Sequence, residues 1–140
     1  MNVSDAMTPQ VATARPADSV RKVAGIMARV DSGVVPVVED DKILGVVTDR
    51  DIVLRVVAEG GDLGAPISGV MSDEIQTCRE DDNLADAAAQ MANHQIRRLL
   101  VTGDKGKLVG ILSLGDIAQD YGAKAVGKTL EEITADAPAH

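Results

Sequence analysis

The stretch Gly45-Val-Val-Thr-Asp-Arg-Asp51 occurs a second time in the chain, as Gly110-Ile-Leu-Ser-Leu-Gly-Asp116. In both copies an apolar run leads from a glycine to a hydroxyl residue, Thr48 or Ser113, and an aspartate follows three positions later. A hydroxyl residue with an acidic residue three positions on is the capping-box pattern of a helix start. Each copy therefore predicts a strand that ends at the hydroxyl and a helix that begins directly after it.

The similarity extends outward from this motif over most of the chain. Residues 3–20 align with 67–84, and the alignment continues to Val37 and Val101. One inserted residue, assigned to Gly106, then shifts the alignment so that Gly45 matches Gly110. Identical pairs include Ser4/Ser68, Met7/Met71, Thr13/Thr77, Arg15/Arg79 and Asp18/Asp82. Such self-similarity predicts a duplication. We assign repeat 1 to residues 1–58, a glycine-rich linker to 59–66, repeat 2 to 67–121 and a C-terminal tail to 122–140.

Each repeat is predicted to fold in the order β-α-β-β-α, and the fold class is therefore α+β. The predicted strands are 11–14, 34–38 and 43–47 in repeat 1 and 75–78, 98–102 and 108–112 in repeat 2. Asp18 and Asp82 are the predicted N-caps of the first helices, and the last helices are placed near 49–58 and 114–120. A unit of about 60 residues buries too little surface to be stable alone. We therefore expect the repeats to pack sheet against sheet with pseudo-two-fold symmetry, and a ligand to bind in the clefts between them.

The composition narrows the functional class. Of 140 residues 45% are hydrophobic, enough for a core, but aromatic residues make up only 1%. The formal net charge of -8 argues against nucleic-acid or membrane binding, which depends on basic patches. No apolar run approaches the length of a membrane span, no secretory signal is visible, and Cys78 is the only cysteine. These features predict a cytoplasmic protein.

The repeated motif has two interpretations. It is a helix cap and nothing more, or it is a cap whose hydroxyl also binds a phosphate while its aspartate accepts the hydroxyls of a ribose. On the second interpretation Gly45 and Gly110 would let a ligand approach the backbone closely. The residue pattern alone leaves both open.

The doubled β-α-β-β-α unit ending in this motif resembles a pair of CBS domains, the regulatory modules named after cystathionine β-synthase. The resemblance covers roughly residues 3–122. It implies a disc-like pair that usually forms a homodimer and binds an adenosine-containing ligand. AMP, ADP or ATP rank first, S-adenosylmethionine and NAD behind them, with no required cofactor. It also implies that Thr48 and Ser113 contact phosphate and that Asp51 and Asp116 hold the ribose.

The chain departs from the family pattern in repeat 2. Repeat 1 keeps a proline, Pro36, in its first long strand, but repeat 2 has Leu100 there. The opening Met-Thr-Pro of repeat 1 is Met-Ser-Asp in repeat 2, at Asp73. Because these differences change strand entry and pocket shape, we do not expect equal occupancy of the two sites; we expect the fold to be unaffected.

Weaker site candidates lie outside the motif. Arg97 and Arg98 are solvated at a sheet edge, or they bind phosphate through the planar fork of the guanidinium, as the resemblance suggests. Thr13 and Val35, with Val11, Thr77 and Ile96, either line an adenine pocket or belong to the core. No catalytic residue and no metal-ligand spacing are recognised, and His94 and Cys78 are interpreted as structural.

A second nucleotide-related pattern stands near the C-terminus. Residues 122–129, Gly-Ala-Lys-Ala-Val-Gly-Lys-Thr, match the phosphate-loop pattern, which requires a strand before it and a helix after it. Here the closing helix of repeat 2 precedes it and only 11 residues follow, so we reject an NTPase. The leading hypothesis is a non-catalytic sensor that binds an adenosyl ligand and signals to a separate, unidentified effector protein. The alternative is a ligand-independent dimeric interaction protein in which the motifs act only as helix caps.

Overall fold

A computed structural model describes residues 1–121, the last two by their backbone alone. The elements lie in the order α1 (Val3–Ala6), β1 (Thr8–Pro9), α2 (Val20–Val30), β2 (Val34–Glu39), β3 (Lys42–Thr48), α3 (Asp49–Ile52), a π-helical segment (Val53–Val57), a 3-10 turn (Ile67–Gly69), β4 (Thr77–Arg79), α4 (Leu84–His94), β5 (Arg98–Thr102), a second 3-10 turn (Asp104–Gly106), β6 (Leu108–Ser113) and α5 (Leu114–Tyr121). The tail and its phosphate-loop pattern, residues 122–140, lie outside the described residues.

The chain forms two compact units whose boundaries differ from those of the sequence repeats. The first unit is Val11–Ile75, and the second combines Met1–Gln10 with the described residues from Gln76 onward. The opening segment of repeat 1 therefore belongs to the unit built on repeat 2, and the opening segment of repeat 2 belongs to the unit built on repeat 1. We call this arrangement the segment exchange.

The first unit is built around the β2–β3 hairpin. β2 and β3 pair antiparallel, and single bridges add Ala14 beside Val37 and Ser72 beside Val46. Its buried core comprises Ala14, Val20, Val23, Ile26, Met27, Val35, Val37, Val47, Ile52, Val56, Ile67 and Val70. Ile67 and Val70 come from the exchanged segment, so the core is completed by residues of the other repeat.

The second unit is built around the equivalent hairpin, β5–β6, and its sheet has four strands where that of the first unit has two. Its sheet has the order β1-β6-β5-β4, in which β4 runs parallel to β5 and the other neighbours are antiparallel. The buried core comprises Val3, Cys78, Leu84, Ala87, Ala88, Met91, Leu99, Val101, Leu112, Leu114 and Ile117. Val3 is the exchanged residue here and is fully buried.

The predicted first strand of repeat 1, residues 11–14, is wrong, because only one bridge forms there. Ala14 donates to the Pro36 carbonyl and accepts from Val38, both at 2.9 Å. In repeat 2 the ladder continues, since Leu100 donates to the Gln76 carbonyl at 3.1 Å and Glu80 donates to that of Thr102 at 2.9 Å. The equivalents of these two donors in repeat 1 are Pro36 and Pro16, which have no N–H. Two prolines therefore reduce a strand to a bridge.

The predicted helix N-caps were each placed one residue too early. Ser19 caps α2 by accepting from the Lys22 N–H at 3.1 Å, and Asn83 caps α4 by accepting from the Ala85 N–H at 2.8 Å. Asp18 and Asp82 instead close the preceding turns by accepting from the N–H of the residue three positions earlier, at 2.8 and 2.9 Å. That backbone hydrogen bond, more than the ion pair with Lys22, lowers the pKa of Asp18.

The helix predicted near 49–58 forms in two parts. α3 ends at Ile52 and continues as a π-helical segment, in which Ala58 donates to the Val53 carbonyl five residues earlier at 2.9 Å. Ile52 and Val56 face the core of the first unit, whereas the side chains of Val53, Leu54 and Val57 are exposed. The helix predicted near 114–120 is confirmed as α5.

The inserted residue lies in the turn of the second hairpin, as the sequence alignment predicted. Four residues, 39–42, separate the paired Val38 and Ile43, and five, 103–107, separate Thr102 and Leu108. Both hairpins also contain a bulge that the sequence analysis missed. Leu44 and Val109 have no partner across the ladder, because the register shifts immediately before Gly45 and Gly110. A bulge bends and twists its strand, so these two set the direction in which β3 and β6 approach their ends.

Candidate functional site

The first candidate site lies where β3 ends and α3 begins. Thr48 is extended, with φ −113° and ψ 161°, so its side chain turns back toward the helix start. The Asp51 N–H donates to Thr48 Oγ1 at 3.1 Å, and the Thr48 N–H donates to Asp51 Oδ2 at 2.9 Å. The predicted capping box is therefore fully formed, and both side chains are partly buried.

The second candidate site repeats this geometry at the end of β6. The Asp116 N–H donates to Ser113 Oγ at 3.1 Å, and the Ser113 N–H donates to Asp116 Oδ2 at 2.9 Å. These distances equal those of the first site, so the backbone holds the hydroxyl and the carboxylate in the same relation in both repeats.

Each capping box leaves hydrogen-bonding capacity unused. Among residues 1–119, whose side chains the structure describes, Oδ1 of Asp51 and of Asp116 accepts no hydrogen bond, and the hydroxyls of Thr48 and Ser113 donate to no protein atom. A carboxylate oxygen with free lone pairs and a hydroxyl with a free proton stand side by side at each site. This pair can accept hydrogen bonds from a diol and donate one to an anion.

The strand register brings Arg98 to the second site. Arg98 pairs directly with Ser113 across the antiparallel β5–β6 ladder, and residues paired in this way have side chains on the same face of the sheet. The equivalent pair at the first site is Val34 with Thr48. The arginine that sequence reasoning left undecided thus neighbours the motif hydroxyl, and it is exposed.

Arg97 contributes to the second site through its backbone. Its carbonyl accepts from the Leu114 N–H at 3.0 Å, and in repeat 1 the carbonyl of Gly33 accepts from the Asp49 N–H at 2.9 Å in the same way. This bond ties the start of the helix to the beginning of the neighbouring strand. The Arg97 side chain is exposed.

The remaining candidates differ in how far they are exposed. Val35 is fully buried in the core of the first unit and pairs with Val47, so it presents no surface to a ligand; its core role is the one the structure supports. Thr13 is exposed beside the single bridge of Ala14. Of the others named from the sequence, Thr77 is exposed and Val11 and Ile96 are half-buried.

The motif glycines have a different role from the one the ligand interpretation gave them. A Cβ atom on Gly45 would lie 2.6 Å from the Ser72 carbonyl oxygen, and one on Gly110 would lie 2.8 Å from that of Thr8. Each glycine is thus covered by the backbone of the exchanged segment, Met71-Ser72 or Met7-Thr8. Gly45 and Gly110 admit a neighbouring strand, and no room for a ligand remains above their α-carbons.

A further contact that the sequence did not reveal holds one exchanged segment in place. Arg55, on the π-helical segment, donates from Nη1 to the carbonyl of Val70 at 2.7 Å. Ser72 then exchanges two backbone hydrogen bonds with Val46, at 2.8 and 2.9 Å, two residues before Thr48. The repeated Val-Met-Ser/Ala-Met-Thr opening was the available signal, but it does not indicate which repeat the segment joins.

Other reactive groups do not form a site. The Cys78 thiol is buried, and burial, with a smaller contribution from the charge of Asp82, raises its pKa to about 11, so it is not a reactive thiolate at neutral pH. Over the described range 1–121 no group of three metal-ligating side chains comes together. Within the same range no helix has the length and apolarity needed to cross a lipid bilayer.

The fold and the two motif sites define a class of protein. The family model described as "CBS domain" matches residues 3–58 and again residues 67–121, and the chain therefore belongs to the CBS domain family with two copies of the domain.

Known members resemble the chain over nearly its whole length. CBS domain-containing protein YhcV from Bacillus subtilis (strain 168) is 42% identical over 134 residues, which is 95% of each chain. CBS domain protein PAE2072 from Pyrobaculum aerophilum, solved in complex with AMP, is 27% identical with a TM-score of 0.77, and the match covers 93% of this chain and 98% of that one. The CBS domain pair of protein MJ0100, solved with 5′-methylthioadenosine and S-adenosyl-L-methionine, is 26% identical with a TM-score of 0.76, covering 89% and 98%.

Proposed function

We propose that this protein is a non-catalytic sensor module whose two strand-end sites bind an adenosine-containing ligand, with AMP, ADP or ATP as the first candidates. The observation that supports it most is a pair of groups at each site that has no hydrogen-bond partner in the described part of the chain: Oδ1 of Asp51 or Asp116, and the hydroxyl proton of Thr48 or Ser113. The AMP and adenosyl complexes of two similar CBS domain proteins support the choice of ligand.

The chemistry assigns a role to each group. The free Oδ1 atom accepts hydrogen bonds from the two hydroxyls of a ribose, and the motif hydroxyl donates to the substituent at the ribose 5′ position. Neither contact breaks the capping box, because the box uses Oδ2 and the hydroxyl lone pair. Binding changes the behaviour of a partner only if the ligand has different affinities for two arrangements of the protein. A separate effector protein, a cytoplasmic location and the absence of a nucleic-acid target stay predictions from the sequence.

The alternative, a ligand-independent interaction protein, is favoured by one observation. Both capping boxes are complete, so helix capping alone accounts for the motif residues. The two functions differ in what an asparagine at position 51 or 116 would do. Asparagine keeps one carbonyl oxygen for the cap but replaces the free acceptor by an NH₂ donor.

A thermal-shift and calorimetry panel of AMP, ADP, ATP, NAD and S-adenosylmethionine tests the proposal. A ligand present at 100 times its Kd stabilises the folded state by about 2.7 kcal/mol. We expect Asp51→Asn and Asp116→Asn together to abolish this stabilisation and to change the ligand-free melting temperature little. Asp82→Asn is a matched control, because Asp82 caps a turn with a bond of the same length, 2.9 Å, away from either site. No stabilisation by any compound would reject the sensor; stabilisation that survives the double substitution would reject the site.

A homodimer is the second part of the proposal. Val53, Leu54 and Val57 keep 54%, 47% and 61% of their surface exposed on one short helical segment, an apolar patch that a second copy would cover. Sedimentation velocity of the unaltered protein and of Leu54→Glu tests this. We expect a dimer that the substitution dissociates, and an unaltered protein that sediments as a monomer would reject it.

A further inference from the structure

The two candidate sites share one backbone geometry but carry opposite charge. At the first site Asp49, Arg50 and Asp51 stand at the helix start and leave one net negative charge. At the second site the corresponding residues are Leu114, Gly115 and Asp116. The paired strand β5 begins at Arg98, directly after Arg97, and the two arginines leave the site with one net positive charge.

The negative charge of the first site is held close to Thr48. Asp49 Oδ1 accepts from the Arg50 N–H at 2.8 Å, which fixes the carboxylate at the helix start. The same carboxylate lies against Gly33, since a Cβ built there would meet Asp49 Oδ2 at 2.7 Å. Repeat 2 has Leu114 in place of Asp49, and Leu114 is 8% exposed within the core, so no carboxylate occupies this position.

The positive charge of the second site is available to a ligand. Arg98 is exposed and, among residues 1–119, whose side chains the structure describes, makes neither an ion pair nor a side-chain hydrogen bond. Its ladder partner is Ser113, and Cβ atoms of such a pair lie about 4.5 to 5.5 Å apart. A phosphate bound by the Ser113 hydroxyl would therefore lie within reach of the Arg98 guanidinium. Val34 occupies the Arg98 position at the first site and offers no such charge.

We propose that the two sites select adenosyl ligands by the charge of the 5′ substituent, with Arg98 and Asp49 as the specificity-determining residues. The second site takes a ligand with a 5′-phosphate. The first site disfavours phosphate, because it would approach the Asp49 carboxylate, and takes an adenosyl compound whose 5′ substituent is neutral or cationic. This inference rests on the proposed function, which supplies the adenosine contacts common to both sites.

Isothermal titration with AMP, with the neutral 5′-methylthioadenosine and with the cationic S-adenosylmethionine tests the selection. We expect AMP to bind at one site per chain. Asp116→Asn should abolish AMP binding, whereas Asp51→Asn should preserve it. The Asp116→Asn variant should still bind 5′-methylthioadenosine. Arg98→Gln should weaken AMP about 10- to 100-fold, the contribution of one charge-assisted hydrogen bond, and leave 5′-methylthioadenosine unchanged. Asp49→Asn should raise the stoichiometry of AMP from one to two.

Each substitution has a control with the same change of net charge. Arg79→Gln removes an exposed arginine of β4 that already pairs with Asp81, and Asp40→Asn removes a carboxylate from the turn at the opposite end of the β2–β3 hairpin. Two AMP sites of equal affinity, or an Arg98→Gln effect no larger than that of Arg79→Gln, would overturn the selection and leave the proposed function intact. If none of the three compounds binds, the selection is overturned; if ADP, ATP and NAD fail to bind as well, the proposed function fails with it.

Discussion

Replacing Gly45 by alanine should lower the free energy of unfolding by about 2 to 3 kcal/mol, because the exchanged segment occupies the space that the methyl group needs. The new Cβ atom would lie 2.6 Å from the Ser72 carbonyl oxygen and 2.9 Å from Met71 Sδ. The sulfur can move with its flexible side chain, but the carbonyl belongs to the backbone. Relief to an ordinary contact requires the segment to shift by roughly 0.8 Å.

A shift of that size away from β3 would lengthen the two hydrogen bonds between Val46 and Ser72, now 2.9 and 2.8 Å, beyond the usual limit. Each backbone hydrogen bond contributes about 1 kcal/mol net, and this sets the expected loss. Gly25→Ala is the matched control. Gly25 lies in α2 with nothing within 4 Å of a built Cβ, so alanine there should stabilise the protein by about 0.5 to 1 kcal/mol.

Urea unfolding monitored by circular dichroism measures both variants against the unaltered protein. The reasoning is refuted if Gly45→Ala unfolds within about 0.5 kcal/mol of the unaltered protein while Gly25→Ala behaves as expected. That result would mean that the segment is not fixed on β3. A Gly45→Ala variant of normal stability that no longer binds 5′-methylthioadenosine at the first site would instead restore the interpretation of Gly45 as a point of ligand approach.

Three further predictions concern single contacts. Thr48→Val should lower stability by about 1 kcal/mol, since the Asp51 N–H loses its acceptor, and unchanged urea unfolding would contradict the cap. Arg55→Met keeps the aliphatic stem but leaves the Val70 carbonyl without its donor, so we expect a loss of about 1 to 3 kcal/mol in the same assay; no loss would show that the 2.7 Å bond is not stabilising. The Cys78 thiol stays protonated in the folded protein to about pH 11 but ionises near 9.0 once unfolded, so the unfolded state releases the proton first and stability should fall as the pH rises between these values. Over this pH range the free energy of unfolding should fall by roughly 2 to 3 kcal/mol more than it does in Cys78→Ala, and an equal fall in the two proteins would contradict the raised pKa.

The local structure of the repeats could be predicted where it depends on neighbouring residues. The hairpins, the helices after them and both capping boxes follow from apolar periodicity and from a hydroxyl placed three residues before an acid. The strand predicted at residues 11–14 was wrong although the sequence contains the reason: Pro16 and Pro36 lack the donors that a parallel ladder needs. The N-caps were misplaced because Asp18-Ser19 and Asp82-Asn83 each offer two capping side chains in succession, and the sequence does not say which one the turn uses.

The segment exchange could not be predicted, since it depends on contacts between residues distant in the chain. Two similar repeats offer each opening segment two nearly equivalent sheet edges. The apolar pattern predicts that Val3 and Ile67 are buried, but it does not indicate in which core. The bulges at Leu44 and Val109 could not be predicted from the sequence either, because a one-residue shift in a ladder leaves the apolar run unchanged. The charge difference between the sites, in contrast, follows from the sequence once the strand register pairs Arg98 with Ser113.

The segment exchange determines what happens when the chain is cut between its repeats, and it suggests how the duplicated chain arose. A cut within residues 59–66 would leave one fragment with Val3, which belongs in the other fragment's core, and the other with Ile67 and Val70, which belong in the first. Neither fragment could complete its own interior, but a mixture of both could, as in a domain-swapped dimer. Fusing two copies of a single-repeat ancestor that swapped its opening segment would produce this connectivity directly, and co-expression of the two halves is the corresponding complementation experiment.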